Sequence, residues 1–382
     1  MLEKEWGVTG RPNVPRWRRL AFYGVIAFLI VLSGLIGFRL AFLFVGTTEN
    51  RATVASSVPL STSEQIIQTV SDIDGVVVGV SAYRHKDVKD PPYADDGSSG
   101  SAVIYAKKKG MAYLVTNNHV IDGAERIEVN FANENVTAEL VGTDPYTDLA
   151  VLRIPARYVE KVATFGTSST LRRGETVVVS GNSLGLYSNT ITVGYISSLH
   201  QKLPIYFSDQ TEPDWEIDVL QIDAAVNYGN SGGGLFNLRG ELVGINSAKV
   251  IEPGVENIGF SIPIDLVKGI ISELENFGKV KRPYLGVVVS GLSYVAEDVY
   301  RSLLLPASVY QGVLIREPPD GPAKAAGLLE RDVIVALDHQ PVTDKVSLRR
   351  ALYQKSAGDT VTITYYRRGE QKEVNVVLGE TP

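Results

Sequence analysis

From Val76 onward the chain is written in short β-branched runs separated by Gly, Asn and Asp, and this texture restricts its fold more than any other feature. The runs cover residues 76–80, 101–105, 112–116, 127–131, 149–154, 176–180, 190–196 and 241–245. β-Branched side chains suit a pleated, half-buried surface, and the turn residues between them fold successive strands back, so the pattern predicts β-barrels or sandwiches. Two segments depart from it. Ser61-Thr62-Ser63-Glu64 has capping-box spacing ahead of an apolar helical stripe of Ile66, Ile67 and Val70. Residues 263–277 place Leu266, Ile270, Ile271 and Leu274 on one helical face, with Pro263 in the first turn and Gly278 to end it. Residues 86–99, with paired Pro and Asp-Asp-Gly, read as a surface loop, and 279–283 as a linker. Beyond the linker, residues 284–380 mix strands and short helices again, giving a second domain.

Ahead of this body lies an uncharged run of 19 residues, 20–38, long enough as a helix to cross roughly 28 Å of hydrocarbon. Apolar residues occupy every face of it, which argues against a soluble core helix. Lys4, Arg11, Arg16, Arg18 and Arg19 precede it, so the positive-inside rule leaves residues 1–19 in the cytoplasm and exports the remainder. A cleaved signal peptide is the alternative, but the run exceeds a signal core and no small-x-small site follows. The expected order is therefore a cytoplasmic N-terminus 1–19, a transmembrane anchor 20–45, a linker 46–60, a first domain 61–278 and a second domain 284–380. With a net charge of −6 and no long Lys/Arg block, nucleic acid is not an expected partner. The absence of Cys excludes disulfides and a thiol nucleophile, and four scattered His without a His-Glu-x-x-His pattern imply no metal and no other cofactor.

The chemistry resides in three peptides. Gly229-Asn230-Ser231-Gly232-Gly233 holds a serine among glycines, where amide N–H groups can turn toward a developing oxyanion. Upstream, Thr116-Asn117-Asn118-His119-Val120 and Thr147-Asp148-Leu149-Ala150 each end or begin a β-run. A serine hydroxyl needs an imidazole to remove its proton, and the imidazole needs a carboxylate to fix its tautomer, roles that Ser231, His119 and Asp148 can fill. Gly181-Asn182-Ser183-Leu184-Gly185 also fits Gly-x-Ser-x-Gly, but an α/β-hydrolase elbow requires a helix next, and residues 190–196 are strand-like. The order His, Asp, Ser instead matches double β-barrel serine proteases. His85, His200 and His339 lack such surroundings.

These stretches resemble the HtrA (DegP/DegS-like) family of serine proteases. Residues 116–121 resemble its histidine motif, 148–152 its aspartate motif and 223–233 its nucleophile motif, while 240–246 and 257–263 also match. Gly234 departs from the family's usual Pro or Ala, and Ser183 stands where Pro is common. The resemblance implies a mostly β chain: a transmembrane helix, a chymotrypsin-like protease domain of two six-stranded β-barrels, and a C-terminal PDZ domain. It implies an oxyanion hole at Gly229, Asn230 and Ser231, and a pocket for the residue before the scissile bond at Val226, Val250 and Ile258. In the last domain Tyr284, Leu285, Gly286 and Val287 resemble a carboxylate-binding loop, 321–328 with 331–334 the central motif, and 347–354 the groove helix. The expected protein is an ATP-independent serine endopeptidase, trimeric and anchored in a bacterial cell membrane. Its partners would be misfolded or exposed extracytoplasmic polypeptides and peptide C-termini, in envelope quality control and stress response. A scaffold or chaperone with a latent protease is a second class that the same motifs allow.

Overall fold

The computed structural model describes residues 61–85, 97–183, 187–207, 211–247 and 257–381, with positions 17, 21, 24–25 and 28–34. Residues up to Leu60 and the body from Ser61 are separate compact units. In the first unit residues 28–34 are helical. Among the described residues no helix is long and apolar enough to cross a membrane. The anchor expected over 20–45 is therefore not confirmed, and most of it, with the linker, lies outside the described residues.

The body opens with α1 (Thr62–Ile73), whose capping box is complete. Ser61 Oγ accepts from the Glu64 N–H at 3.2 Å while the Glu64 carboxylate accepts from the Ser61 N–H at 2.7 Å. Its buried residues are Thr69 and Ile73, and Ile67 is 66% exposed, so the inward stripe is rotated from the expected Ile66–Ile67–Val70 face. On that buried side the Thr69 hydroxyl lies between two carbonyls, Gln65 O at 2.8 Å and Leu238 O at 3.0 Å.

Seven strands follow: β1 (Val77–Tyr83), β2 (Gly97–Lys108), β3 (Met111–Thr116), β4 (Arg126–Asn130), β5 (Asn135–Thr137), β6 (Glu139–Asp144) and β7 (Leu149–Pro155). Their order is β5-β4-β1-β2-β3-β7-β6. Only Ala138 separates β5 from β6, and its N–H donates to Ile127 O on β4 at 2.9 Å. One bent strand thus borders both edges and closes a six-membered barrel. β2 begins at Gly97, so the end of the expected surface loop is strand, and residues 86–96 lie outside the described residues. Val80, Ala102, Ile104, Leu114, Val129 and Leu152 fill this barrel.

The second barrel comprises β8 (Thr164–Phe165), β9 (Thr176–Ser183), β10 (Tyr187–Ile205), β11 (Trp215–Ile222), β12 (Gly234–Asn237), β13 (Glu241–Ser247) and β14 (Gly259–Pro263). The order β12-β9-β10-β11-β14-β13 closes through β12–β13 pairing, with β8 added in parallel to β13. Closure removes free sheet edges, where unpaired backbone groups would otherwise invite association. A further apolar cluster joins the two barrels through Val103, Val115, Leu149, Val178, Phe236 and Ile245, and α3 (Ile264–Phe277) packs onto it. Gly278 terminates that helix at φ 72°. The buried face of α3 is Ile264, Val267, Ile270, Ile271 and Leu274. Leu266, expected inside, is 36% exposed, because the helix lays its 264–267–271–274 row on the barrels.

In the last domain β15 (Pro283–Tyr284) pairs with the returning β22 (Gly379–Glu380). A sheet of β16 (Val289–Gly291), β17 (Val313–Ile315), β18 (Val333–Leu337), β20 (Thr360–Arg367) and β21 (Glu370–Val377) is joined by β19 (Gln340–Pro341) on β18. Helices α4 (Glu297–Ser302), α5 (Gly321–Ala325) and α6 (Lys345–Leu352) flank it. β16 ends the sheet, and α6 supplies Leu348, Ala351 and Leu352 to the core behind it.

The two domains of the body meet through charge and aromatic rings. Arg282, in the linker, grips Asp144 with two hydrogen bonds of 2.6 and 2.8 Å, and its guanidinium lies 4.5 Å from the Tyr146 ring centroid. Tyr146 packs edge-on against both Phe207 and Tyr353, and Trp215 lies 5.1 Å from Tyr353. From α6, Lys345 and Arg349 reach Asp214, and Arg350 reaches Glu216.

Candidate active site

His119 sits on α2 (Asn118–Ile121), a single helical turn directly after β3. Asp148 stands just before β7, which pairs with β3, so two adjacent strands carry the two groups to the same barrel end. The Asp148 backbone is left-handed, φ 56°, a conformation that Asp tolerates better than most residues. Its carbonyl accepts from the Asn118 N–H at 3.0 Å and from the Asn117 side-chain amide at 2.9 Å, which fixes the turn. One carboxylate oxygen then accepts from the His119 N–H at 3.0 Å, and the other meets His119 Nδ1 at 2.7 Å. An ionised carboxylate only accepts, so Nδ1 carries the proton and Nε2 is left as the basic nitrogen. A third donor, the Ser247 hydroxyl, reaches the same Asp148 oxygen at 3.1 Å. The buried carboxylate thus has three donors, and the imidazole cannot rotate without losing its partner.

The nucleophile peptide is built from two consecutive tight turns. Asn230 N–H donates to Asn227 O at 2.9 Å, and Gly233 N–H to Asn230 O at 2.9 Å. Gly229 and Gly232 occupy the third positions at φ 93° and 82°, the type II pattern that only glycine adopts easily. Asn230 therefore commits its amide to the turn, and of the three expected oxyanion-hole residues it shapes the turn, leaving Gly229 and Ser231 as the amides to donate. The fully buried Ser101 holds the peptide to the first barrel. Its N–H donates to Ser231 O at 2.7 Å and its hydroxyl donates to Gly229 O at 2.6 Å while accepting from Asn182 N–H at 2.7 Å. On the other side Gly232 N–H donates to Asn246 O at 2.9 Å, one residue from Ser247. The barrel junction thus brings Ser231, His119 and Asp148 into one network of residues.

Of the expected pocket residues, Val226 is buried in the second barrel's core, Ile258 is 37% exposed, and Val250 lies outside the described residues. Ser183 ends β9, and β10, which pairs antiparallel with it, begins at Tyr187. In the last domain Leu285 and Gly286 turn their carbonyls inward, to the N–H groups of Ala323 and Asp320, each at 2.9 Å. Because a trans peptide points its C=O and N–H oppositely, the amides of Gly286 and Val287 face the other way, together, at φ 84° for Gly286. Two adjacent amides aimed outward make an anion-binding concavity, here at the end of the groove between β16 and α6.

Ser101 and Ser247, which also hold the site, lie outside the three peptides that mark it in the sequence. Each touches a group far along the chain, Ser101 to Gly229 and Ser247 to Asp148, and no local spacing marks such pairs.

Two closed β-barrels with His119, Asp148 and Ser231 at their junction define a trypsin-like peptidase, and the sheet with its carboxyl-terminal groove defines a PDZ domain. Residues 99–245 match the trypsin-like peptidase domain and 283–378 the PDZ domain. The chain is 40% identical over 337 residues to the serine protease Do-like HtrB of Bacillus subtilis, covering 85% of this chain and 72% of that one. It is 35% identical to the serine protease Do-like HtrA of Lactococcus lactis over 95% of both chains. Among solved structures, the HtrA-type protease AlgW with a decapeptide superposes with a TM-score of 0.61 at 30% identity, over 83% of this chain and 98% of that one. The serine endoprotease from Yersinia pestis gives 0.60 at 31%, over 85% and 100%. The chain belongs to the HtrA family of serine proteases, and it is a serine endopeptidase.

Proposed function

We propose that this protein is a membrane-anchored, ATP-independent endopeptidase that degrades misfolded or exposed polypeptides outside the cytoplasm, as part of envelope quality control. The His119–Asp148 pair beside the doubly turned Ser231 peptide carries this reading. Ser231 Oγ attacks the scissile carbonyl as His119 Nε2 takes its proton, and Asp148 stabilises the imidazolium. The tetrahedral oxyanion is met by the Gly229 and Ser231 amides. His119 then gives its proton to the leaving amine, and water hydrolyses the acyl-enzyme by the same route. The family resemblance supports positions Val226, Val250 and Ile258 as those of an aliphatic pocket favouring small or medium apolar side chains before the cut. The apolar run 20–38 with its preceding basic residues supports a single-pass anchor in a bacterial cell membrane, N-terminus inside. The family supports assembly as a homotrimer. The amides of Gly286 and Val287, with Tyr284 and Leu285 behind them, take the C-terminal carboxylate of a peptide that adds to β16 as an edge strand.

Degradation of casein by the parent and by Ser231→Ala tests the catalytic part. The parent should cleave and the variant should not. Equal loss of casein in both, or a parent inert with heat and added peptides, refutes it.

A further inference from the structure

The PDZ groove already holds a carboxylate. Glu212, from the segment between β10 and β11 of the protease domain, is 5% exposed and lies against β16. One of its oxygens accepts from the Gly291 N–H at 2.7 Å, and the other from the Ser290 hydroxyl at 3.0 Å. Lys345 Nζ, at the start of α6, stands 3.5 Å from the same carboxylate. The register of β16 makes this contact informative. Val288 O and Leu292 N–H bond to Arg316 and Gly312 on the β17 side, so Ser290 faces β17 and the alternate residues, Val289 and Gly291, face the open edge. Glu212 therefore occupies an edge amide that an added peptide strand must use. A charged carboxylate is seldom buried unless its oxygens are bonded and its charge is met, and here backbone amide, hydroxyl and ammonium do both.

We propose that Ser290 and Lys345 form an acidic subsite of the groove, which Glu212 fills as an internal occupant while also holding the Gly291 amide; a bound peptide takes that amide with a backbone carbonyl and the subsite with an Asp or Glu side chain. This rests on the reading that the Gly286 and Val287 amides bind a peptide's C-terminal carboxylate. From those amides to Gly291 is four residues along the domain, so an antiparallel peptide reaches the subsite about four residues before its last one. Peptides of three residues end short of it and leave Glu212 in place. Longer peptides displace it, their backbone taking the Gly291 amide, and those with an acidic side chain at that position replace its bonds to Ser290 and Lys345. Lys345 retains Asp214 at 3.3 Å in either state, so loss of the Glu212 charge leaves the interface its second carboxylate.

The test uses the full chain carrying Ser231→Ala, with fluorescent decapeptides ending in Val and bearing Glu or Gln at the fifth residue from the end, and a tripeptide of the same ending. Anisotropy should show the Glu decapeptide binding about tenfold tighter than the Gln one, the scale of one charge-assisted hydrogen bond. Adding Glu212→Gln should tighten both decapeptides and leave the tripeptide unchanged. A melting temperature equal to the parent's checks that the variant is folded, and Glu212→Ala serves if it is not. Decapeptide affinities indifferent to Glu212 overturn the internal occupant. Equal binding of Glu and Gln peptides by the Glu212 variants overturns the acidic subsite. A separate control, the decapeptide with an amidated C-terminus, addresses the reading beneath: if it binds as well as the free acid, the carboxylate loop is wrong and the proposal falls with it.

Discussion

Replacing Ser101 by Ala should disable the protease without touching the triad. The hydroxyl donates to Gly229 O at 2.6 Å and accepts from Asn182 N–H at 2.7 Å, and Ser101 is 0% exposed. Alanine leaves both groups buried without a partner, at about 1 to 3 kcal/mol each, so the fold should lose about 2 to 6 kcal/mol. The space vacated by one oxygen is too small to admit a water. The freed peptide, between Gly229 and Asn230, lies between the peptide units carrying the Gly229 and Ser231 amides. Its release misaligns both donors at once, and kcat should fall on the order of 100-fold while KM moves little, since the hole acts on the transition state. A chromogenic peptide with an apolar residue before the cut gives kcat and KM, and urea unfolding gives the stability change at constant m. A variant with kcat within about twofold of the parent refutes the argument that Ser101 positions the hole. Unchanged stability refutes the burial argument.

Gly234→Ala should destabilise although Ala is usual in the family, because its Cβ would lie 2.4 Å from Phe236 Cε2 and 2.9 Å from Leu242 Cδ1. Overpacking of this kind costs about 1 to 3 kcal/mol, and an unaltered urea midpoint would contradict it. Arg282→Met leaves Asp144 buried without its bidentate partner, a loss of about 3 to 5 kcal/mol, and Asp144→Asn in the same chain should recover part of it in a double-mutant cycle. Acid should reveal Asp265: burial favours its neutral form, but hydrogen bonds from Ser169, Lys268 and Ser168 prevail and hold its pKa down to about 2 against an ordinary 3.8. Because the folded value is the lower, its contribution is complete above pH 3.8 and lost as pH falls toward 2, so the melting difference between parent and Asp265→Asn should shrink across that window. A difference constant from pH 5 to 2 would count against it.

Most strands were legible because β-branched runs and turn residues are local signals, and the cores of β3, β7 and β13 fall within the expected segments. A strand as short as Thr164–Phe165 carries no such pattern, since its pairing is with Glu241 and Leu242, far along the chain. Helix existence was readable from caps, but helix rotation was not: Ile67 and Leu266 face solvent because the partner surface, set by the barrels, decides which row is buried. At the site, His119, Asp148 and Ser231 announce themselves by peptide, whereas Ser101 and Ser247 act across more than ninety residues. The loop carbonyls of Leu285 and Gly286 explain why Tyr284-Leu285-Gly286-Val287 can cradle an anion, a matter of backbone direction that composition does not encode.

The returning strand Gly379–Glu380 beside Pro283–Tyr284 has a practical side for anyone who modifies the molecule. Thr381 N–H donates to Arg282 O at 3.0 Å, and Lys279 Nζ donates to Thr381 O at 2.9 Å. A module fused next to Thr381 would lie against the linker whose arginine grips Asp144, four positions before the catalytic carboxylate. Fusions there load that linker, so a flexible spacer at that point is a design requirement if activity is to be compared with the untagged chain.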